Sequence, residues 1–386
     1  DLRFEVDERV LHTGEILKSL EADQLQALDT DLLASGAEAV AICLLFSFLH
    51  PEHEEMIAEK LRAAGYFVSV SSEILPEFRE YERCSTTVVN AYVSPVLGKY
   101  LTYLEAALRP EMRLSVMQSN GGAIQPEEAR QAGVRCILSG PAGGVVGCEY
   151  IGKSTNSAAP LRLIGFDMGG TSTDVSLIDG TRQITTEAVV SGHPIHLPML
   201  DIHTIGAGGG SIARADAGGA LRVGPESTGA DPGPACYGKG EIPTITDANV
   251  VLGRLTPELF LGGKMLLDAL RSWQAVETLG KELGMQTTQV AQGIIQVANA
   301  HMERALRVIS VERGWDPRAF TLLSFGGAGG LHAADLARGL GIPKVLVPPL
   351  ASTLSAYGML VADVIKDYSQ TVMLPGETPL DRKSVV

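Results

Sequence analysis

Residues 165–180 read GFDMGGTSTDVSLIDG. A strand-like apolar run, Leu161 to Phe166, leads into an acid, two glycines, a row of hydroxyl side chains and a second acid. Consecutive glycines let backbone N–H groups turn toward one point, and such a nest flanked by hydroxyls suits phosphate oxygens. A carboxylate at a strand tip suits a hydrated magnesium ion bound to those phosphates. On this reading Asp167 holds the magnesium water, Gly169, Gly170, Thr171 and Ser172 cradle phosphate, and Thr173 and Asp174 are further candidates. There is no GxxxxGK[ST], which excludes a P-loop, and no helix directly follows the turn, which excludes a dinucleotide fingerprint.

A second set of residues could hold a metal. Asp201 and His203 are two apart, so on a strand they share one face. Asp231, Cys236 and Asp247 follow in Gly/Pro-rich segments. Carboxylate, imidazole and thiolate together suit zinc, manganese or iron. The competing reading makes His203 a satisfied core histidine and Asp231 a turn former before Pro232. The sequence leaves both open.

The elements that must position these groups fall into two rhythms. Up to about residue 155 strand and helix signals alternate: AVAICLLF as a strand, PEHEEMIAEKLRAAG as a helix opened by Pro51, FVSVSS as a strand. A long helix follows from Ser85, which Pro95 should kink or break. VRCILSGPAGG is expected to be another strand, ending in a Gly turn that either meets an anion at a helix N-terminus or makes a tight connection. Alternation of this kind implies an α/β sheet with covered faces. From 161 to 190 three strands run in succession, the last two joined at Asp179-Gly180. Strand, phosphate turn, strand, hairpin, strand is the start of an actin-like ATPase domain. Residues 200–255 are dense in Gly and Pro and read as an ordered, loop-rich insertion. Val290, Ile294, Val297, His301 or Met302, Ala305 and Ile309 mark one face of a helix over about 288–313.

Composition bounds the function. The 386 residues suffice for two or three domains, with 45% hydrophobic and 20% charged residues. A net charge of −14 argues against nucleic acid or an anionic membrane as the main partner. The longest apolar run, residues 39–49, is a buried strand rather than a membrane span. Five scattered cysteines without a CxxC pair fit a reducing cytoplasm.

Several long motifs carry a resemblance. DMGGTSTDVS is similar to the second phosphate loop of the sugar kinase, chaperone and actin superfamily, and SFGGAGGLHAADLA at 324–337 to its adenosine loop. More narrowly, LSGPAGGVVG, GFDMGGTSTDVS, DIHTIGAGGGSIA, GADPGPACYG, PTITDANVVLGRL and SFGGAGGLHAADLARGLGIPKVLVPP resemble the hydantoinase A/oxoprolinase family over essentially the whole chain. That family includes ATP-dependent hydantoin-opening enzymes, 5-oxoprolinases and subunits of acetone and acetophenone carboxylases. The resemblance places Gly326, Gly327, Gly329 and Gly330 against a purine and ribose, although close-packing glycines would look the same.

The resemblance implies two ribonuclease H-like, actin-type α/β domains: 1–155 as the remainder of the first, and 156–386 as the second, with an insertion near 195–285. It implies ATP and Mg2+ as cofactors, and a cyclic amide such as a hydantoin or 5-oxoproline as the substrate. Ring opening would proceed through phosphorylation of the amide oxygen. Ketone carboxylation is the alternative within the family, and a non-catalytic nucleotide switch the alternative outside it. A hydantoinase B-type subunit or fused domain and an oligomeric assembly are the expected partners. The family also carries a first phosphate loop near its N-terminus, absent here before residue 165. Asp rather than Met at position 1, and a closing DRKSVV without a fold-ending element, add to the expectation of a truncated fragment, inactive alone.

Overall fold

The computed structural model describes residues 2–155 and 160–373, so the closing DRKSVV lies outside the described residues. The chain divides into two compact units. The first comprises residues up to Ile137, Thr185–Met199 and the segment from Asp363. The second comprises Leu138–Ile184 and Leu200–Ala362. The sequence division at 155/156 therefore differs from the packing: the helix after Leu138 belongs with the second unit, and 185–199 return to the first.

In the first unit, helix α1 (Ala22–Ser35) precedes strand β1 (Ala39–Ile42), helix α2 (Glu52–Ala63) and strand β2 (Phe67–Val70). The two strands are parallel, with Ala39 opposite Phe67 and Ile42 opposite Val70, so α2 is the crossover. Only the first four residues of the apolar run 39–49 are extended. Phe46 adopts φ 57° and the chain turns there. Helix α3 (Glu80–Ala107) runs through Pro95 without interruption, contrary to expectation. Buried Asn90, Ala91, Ser94 and Leu101 flank the proline on the packed face, and this tertiary anchoring outweighs the missing N–H. The strand expected over VRCILSG is absent. Gly133–Cys136 form a 3-10 turn, and Leu138 takes φ 61° to start helix α4 (Ser139–Ser154).

The second unit is built on one sheet. Strand β3 (Arg162–Met168) pairs antiparallel with β4 (Thr173–Asp179), which pairs antiparallel with β5 (Ile202–Ile205). On its other side β3 pairs parallel with β8 (Thr321–Phe325), and β8 parallel with β9 (Lys344–Leu346). The order β5-β4-β3-β8-β9, antiparallel then parallel, is the ribonuclease H-like, actin-type arrangement expected from the sequence. Between β5 and β8 lie the hairpin β6 (Ser211–Ala215)/β7 (Leu221–Ser227) and helices α5 (Ile245–Val251), α6 (Ala269–Leu283) and α7 (Thr287–Ile309). Helix α8 (Ala333–Leu340) joins β8 to β9, and α9 (Leu354–Leu360) follows.

Alternation along β3 decides what each face meets. Ile164, Phe166 and Met168 are fully buried in one core with Val290, Ile294, Met302, Ala305 and Ile309 of α7. Met302, not the exposed His301, occupies the ambiguous helical position. Full burial of a side chain such as Ile294 contributes about 2 kcal/mol. The Gly/Pro-rich stretch is ordered: Ala213, Val223, Ile245 and Ala248 join the same core. Leu163, Gly165 and Asp167 face the other way, toward α4: a Cβ on Gly152 would lie 2.6 Å from Leu163, and one on Gly165 3.4 Å from the Cys148 sulfur. Among the described residues no helix is long and apolar enough to cross a membrane.

Candidate functional site

Register places the acids. Asp167 on β3 is opposite Asp174 on β4, and Asp174 is opposite Thr204 on β5. The three therefore form one row on the sheet face turned away from α7. Thr204 donates its hydroxyl to Asp174 Oδ1. Asp167 accepts one side-chain hydrogen bond, from Ser355 Oγ at 3.3 Å. Burial, and secondarily the Asp174 charge, push the Asp167 carboxyl up to about 6, against the lowering effect of Ser355. Asp174 is raised too, by burial, with Thr204 opposing. Two adjacent, half-buried carboxylates with so few donors are destabilised as anions and suited to a cation.

The turn beyond Asp167 is closed by the Gly169 N–H donating to Ser172 O at 3.0 Å. Gly170 and Thr171 are exposed, and a Cβ on Gly170 would meet nothing within 4 Å. A ligand can therefore approach this backbone. Its inner side is held by the GAGGG run at 206–210. Gly209 and Gly210 N–H donate to Gly169 O (3.0 Å) and Gly170 O (2.6 Å), and Thr246 N–H and Oγ1 both donate to Gly209 O at 2.8 Å. A Cβ on Gly208 would sit 2.5 Å from the Thr171 backbone, so the second glycine loop can back the first only without a side chain. Thr173, expected at the phosphate, is buried and donates its hydroxyl to Ala207 O. It fastens the turn to the backing loop.

The third glycine loop closes on the same strand tip. Gly326 adopts φ 79°, and a Cβ there would lie 2.3 Å from Asp167 Oδ1 and 2.4 Å from Met168 O. Gly326 N–H donates to Ala351 O and Ala328 N–H to Met168 O, each at 2.9 Å. Gly329 is buried against Ser324 and Phe166, whereas Gly327 and Gly330 face open space. His332 is buried beyond this loop with Nδ1 2.7 Å from Asn299 Oδ1. Burial, aided by the Arg254 charge, lowers its pKa to about 4, so the ring is neutral.

The LSGPAGG motif is a helix contact. A Cβ on Gly358 of α9 would fall 1.8 Å from Gly143 O of α4, and one on Gly147 2.8 Å from Leu354 O. These glycines let α4 and α9 touch backbone to backbone, and that contact carries Ser355 to Asp167. The sequence pattern offered an anion site at a helix N-terminus or a tight connection, and the structure shows a helix–helix packing contact instead. The partner helix was not legible.

The proposed metal set is not brought together. Among the described residues no group of three or more His, Cys, Asp or Glu side chains could hold a metal ion. Asp201 and His203 do share a face, but it is the α7 face: Asp201 is ion-paired with Arg313, and His203 lines a cavity with Val297 and His301. Asp231 is exposed beside Lys239 at 3.1 Å. Asp247 is fully buried and caps α5. It accepts from Thr244 N (3.0 Å), Ala235 N (3.1 Å), Cys236 N (2.9 Å) and Ser272 Oγ (2.7 Å). Burial, then Asp247, raise the Cys236 thiol, so it stays protonated.

Comparison with known proteins places the chain in a family. The hydantoinase/oxoprolinase family profile matches residues 83–368, and the hydantoinase/oxoprolinase N-terminal region matches residues 1–65. The caprolactamase alpha subunit of Pseudomonas jessenii is 38% identical over 97% of this chain and 54% of its own length. The 5-oxoprolinase of Saccharomyces cerevisiae is 41% identical over 91% of this chain and 28% of its own. Among solved structures, nucleotide-free acetone carboxylase superposes with a TM-score of 0.83 at 32% identity, covering 97% of this chain and 54% of that one. ATP-dependent caprolactamase from P. jessenii gives 0.78 at 37%, covering 93% and 53%. The chain thus spans about half the length, or less, of the curated relatives it matches.

Proposed function

Because the chain belongs to the hydantoinase/oxoprolinase family, we propose that the protein it forms part of opens a cyclic amide at the expense of ATP. The observation that carries this reading is the Asp167 carboxyl, raised to about 6 and set between two open glycine turns. The exposed turn at Gly169–Ser172 and the open Gly327 and Gly330 fit a nucleotide, and Asp167 and Asp174 fit its magnesium ion. When bound, Mg-ATP supplies a phosphoryl group that converts an amide oxygen into a leaving group. The chain's own residues do the positioning. Gly209 and Gly210 hold the turn carbonyls inward, which leaves its outer face for phosphate. Gly326 keeps the third loop against Asp167, and Ser355 orients that carboxylate.

Relatives named caprolactamase and 5-oxoprolinase support a lactam-like substrate. The relative called a subunit alpha supports a hydantoinase B-type partner, separate or fused, in an oligomer. The superposition on acetone carboxylase favours one second reading, carboxylation of a ketone. The test offers the full-length protein with its partner Mg-ATP and, separately, hydantoin, 5-oxoproline, caprolactam, and acetone with bicarbonate. Ring-opened product with ADP is expected from a cyclic amide. A carboxylated ketone would establish the second reading, and ADP formation unaffected by Asp167→Ala would overturn the site.

A further inference from the structure

Cys43 lies just beyond β1 and Cys84 in the first turns of α3, both in the first unit. Their side chains meet, and Cys84 is exposed while Cys43 is half-buried. The residue beside Cys84 is unusual. Arg83 is 0% exposed, stacks its guanidinium 5.2 Å from the Phe48 ring centroid, and donates Nη2 to Leu44 O at 2.8 Å. Its Nε and Nη1 are buried without a hydrogen-bond partner, and no carboxylate pairs with it among the described residues. A buried, unpaired guanidinium is costly unless an anion lies within reach. The Cys84 thiol lies within reach of this charge, which favours its thiolate form.

We propose that Cys43 and Cys84 form a thiol modification site, in which Cys84 reacts with a peroxide and Cys43 resolves the product to a disulfide. The exposures fit this division of labour, with Cys84 open to a peroxide and Cys43 half-buried. Contact with Cys43, helped by Arg83, lowers the Cys84 thiol to about 6, whereas the same contact and burial hold Cys43 protonated. The Cys84 thiolate attacks the peroxide: an S–O bond forms, the O–O bond breaks, and hydroxide leaves to be protonated as water. The Cys43 thiol then attacks the sulfenic sulfur. An S–S bond forms, the S–O bond breaks, and the departing oxygen takes the Cys43 proton as a second water. Two thiols lose two electrons and two protons, and one peroxide becomes two waters. The product ties the end of β1 to the start of α3.

Cys136, pushed up to about 11 by burial, and the buried Cys148 and Cys236 serve as internal comparisons. The experiment treats the folded full-length protein with hydrogen peroxide and maps its peptides. Expected is a reductant-reversible link between the Cys43 and Cys84 peptides, formed at least tenfold faster than oxidation of Cys136. In Cys43→Ser, Cys84 should stop at sulfenic acid and be trapped by dimedone. In Cys84→Ser, Cys43 should remain reduced. Arg83→Lys keeps a charge and should slow the Cys84 reaction without unfolding the protein. Failure of the wild-type link to form, or oxidation of Cys136 as fast as Cys84, overturns the proposal.

Discussion

Asp167 and Asp247 are two aspartates sunk into the same unit, and their surroundings are opposite. Asp247 is 0% exposed and accepts from three backbone N–H groups and two hydroxyls. Asp167 has one long hydrogen bond from Ser355 and a second carboxylate beside it. Burial alone therefore does not identify a working acid. A carboxylate satisfied on every side is a structural strut, and one left short of donors keeps the capacity to meet a cation.

The largest test of that contrast is Asp247→Ala, which leaves several buried donors without an acceptor. A loss of about 4 kcal/mol is expected, read by denaturant unfolding. A loss under about 1 kcal/mol would erase the distinction between the two aspartates.

Gly208→Ala comes next. The added methyl meets the Thr171 backbone, which cannot move aside as a flexible side chain can. A cost of about 2 kcal/mol is expected, together with weaker Mg-ATP binding measured by calorimetry. Gly327→Ala sharpens the comparison, because its Cβ meets nothing within 4 Å. That variant should keep its stability within about 0.5 kcal/mol yet still weaken nucleotide binding.

Asp167→Asn reverses the usual sign. The folded pKa, about 6, lies above the unfolded value, so the carboxyl opposes folding once pH exceeds the unfolded pKa. This opposition grows up to the folded pKa and is then constant. Discounted for its partial exposure, Asp167→Asn should stabilise the protein by about 1–2 kcal/mol at pH 7 and by nothing at pH 3. Wild-type Mg-ATP binding should weaken as pH falls through about 6, and the variant should lose that dependence. A destabilised Asn variant at pH 7 would contradict the electrostatic account.

The smallest effect belongs to Ser355→Ala. Removing a 3.3 Å hydrogen bond costs about 0.5 kcal/mol. Because Ser355 lowers the Asp167 pKa, the pH midpoint of Mg-ATP binding should move upward by about half a unit. A downward move would show that Ser355 does not act on this carboxylate.

The amino-acid sequence alone determined the local chemistry. The two glycine turns, Asp167, the strands β3 and β4 and the amphipathic face of α7 are all local patterns, because φ/ψ freedom and side-chain period are properties of neighbouring residues, whereas the third strand expected over 182–190 breaks into short pieces and Ile202–Ile205 pairs with β4 instead. The long motifs fixed the family for the same reason. Position across the sheet was decided only in three dimensions. Asp201 and His203 share a face, as their spacing required, but strand pairing turned that face toward α7 and put Asp174 beside Asp167 and Thr204 beside Asp174. Spacing states which residues point together, and register states at what. Pro95 stayed within α3 because packing on Ala91, Ser94 and Leu101 outweighed a local preference. Leu138 ended an apolar run in a left-handed corner that no pattern marked. The GAGGG loop and the α4–α9 contact were visible as glycines but not as partners. A glycine records that something comes close, and only the folded chain shows what.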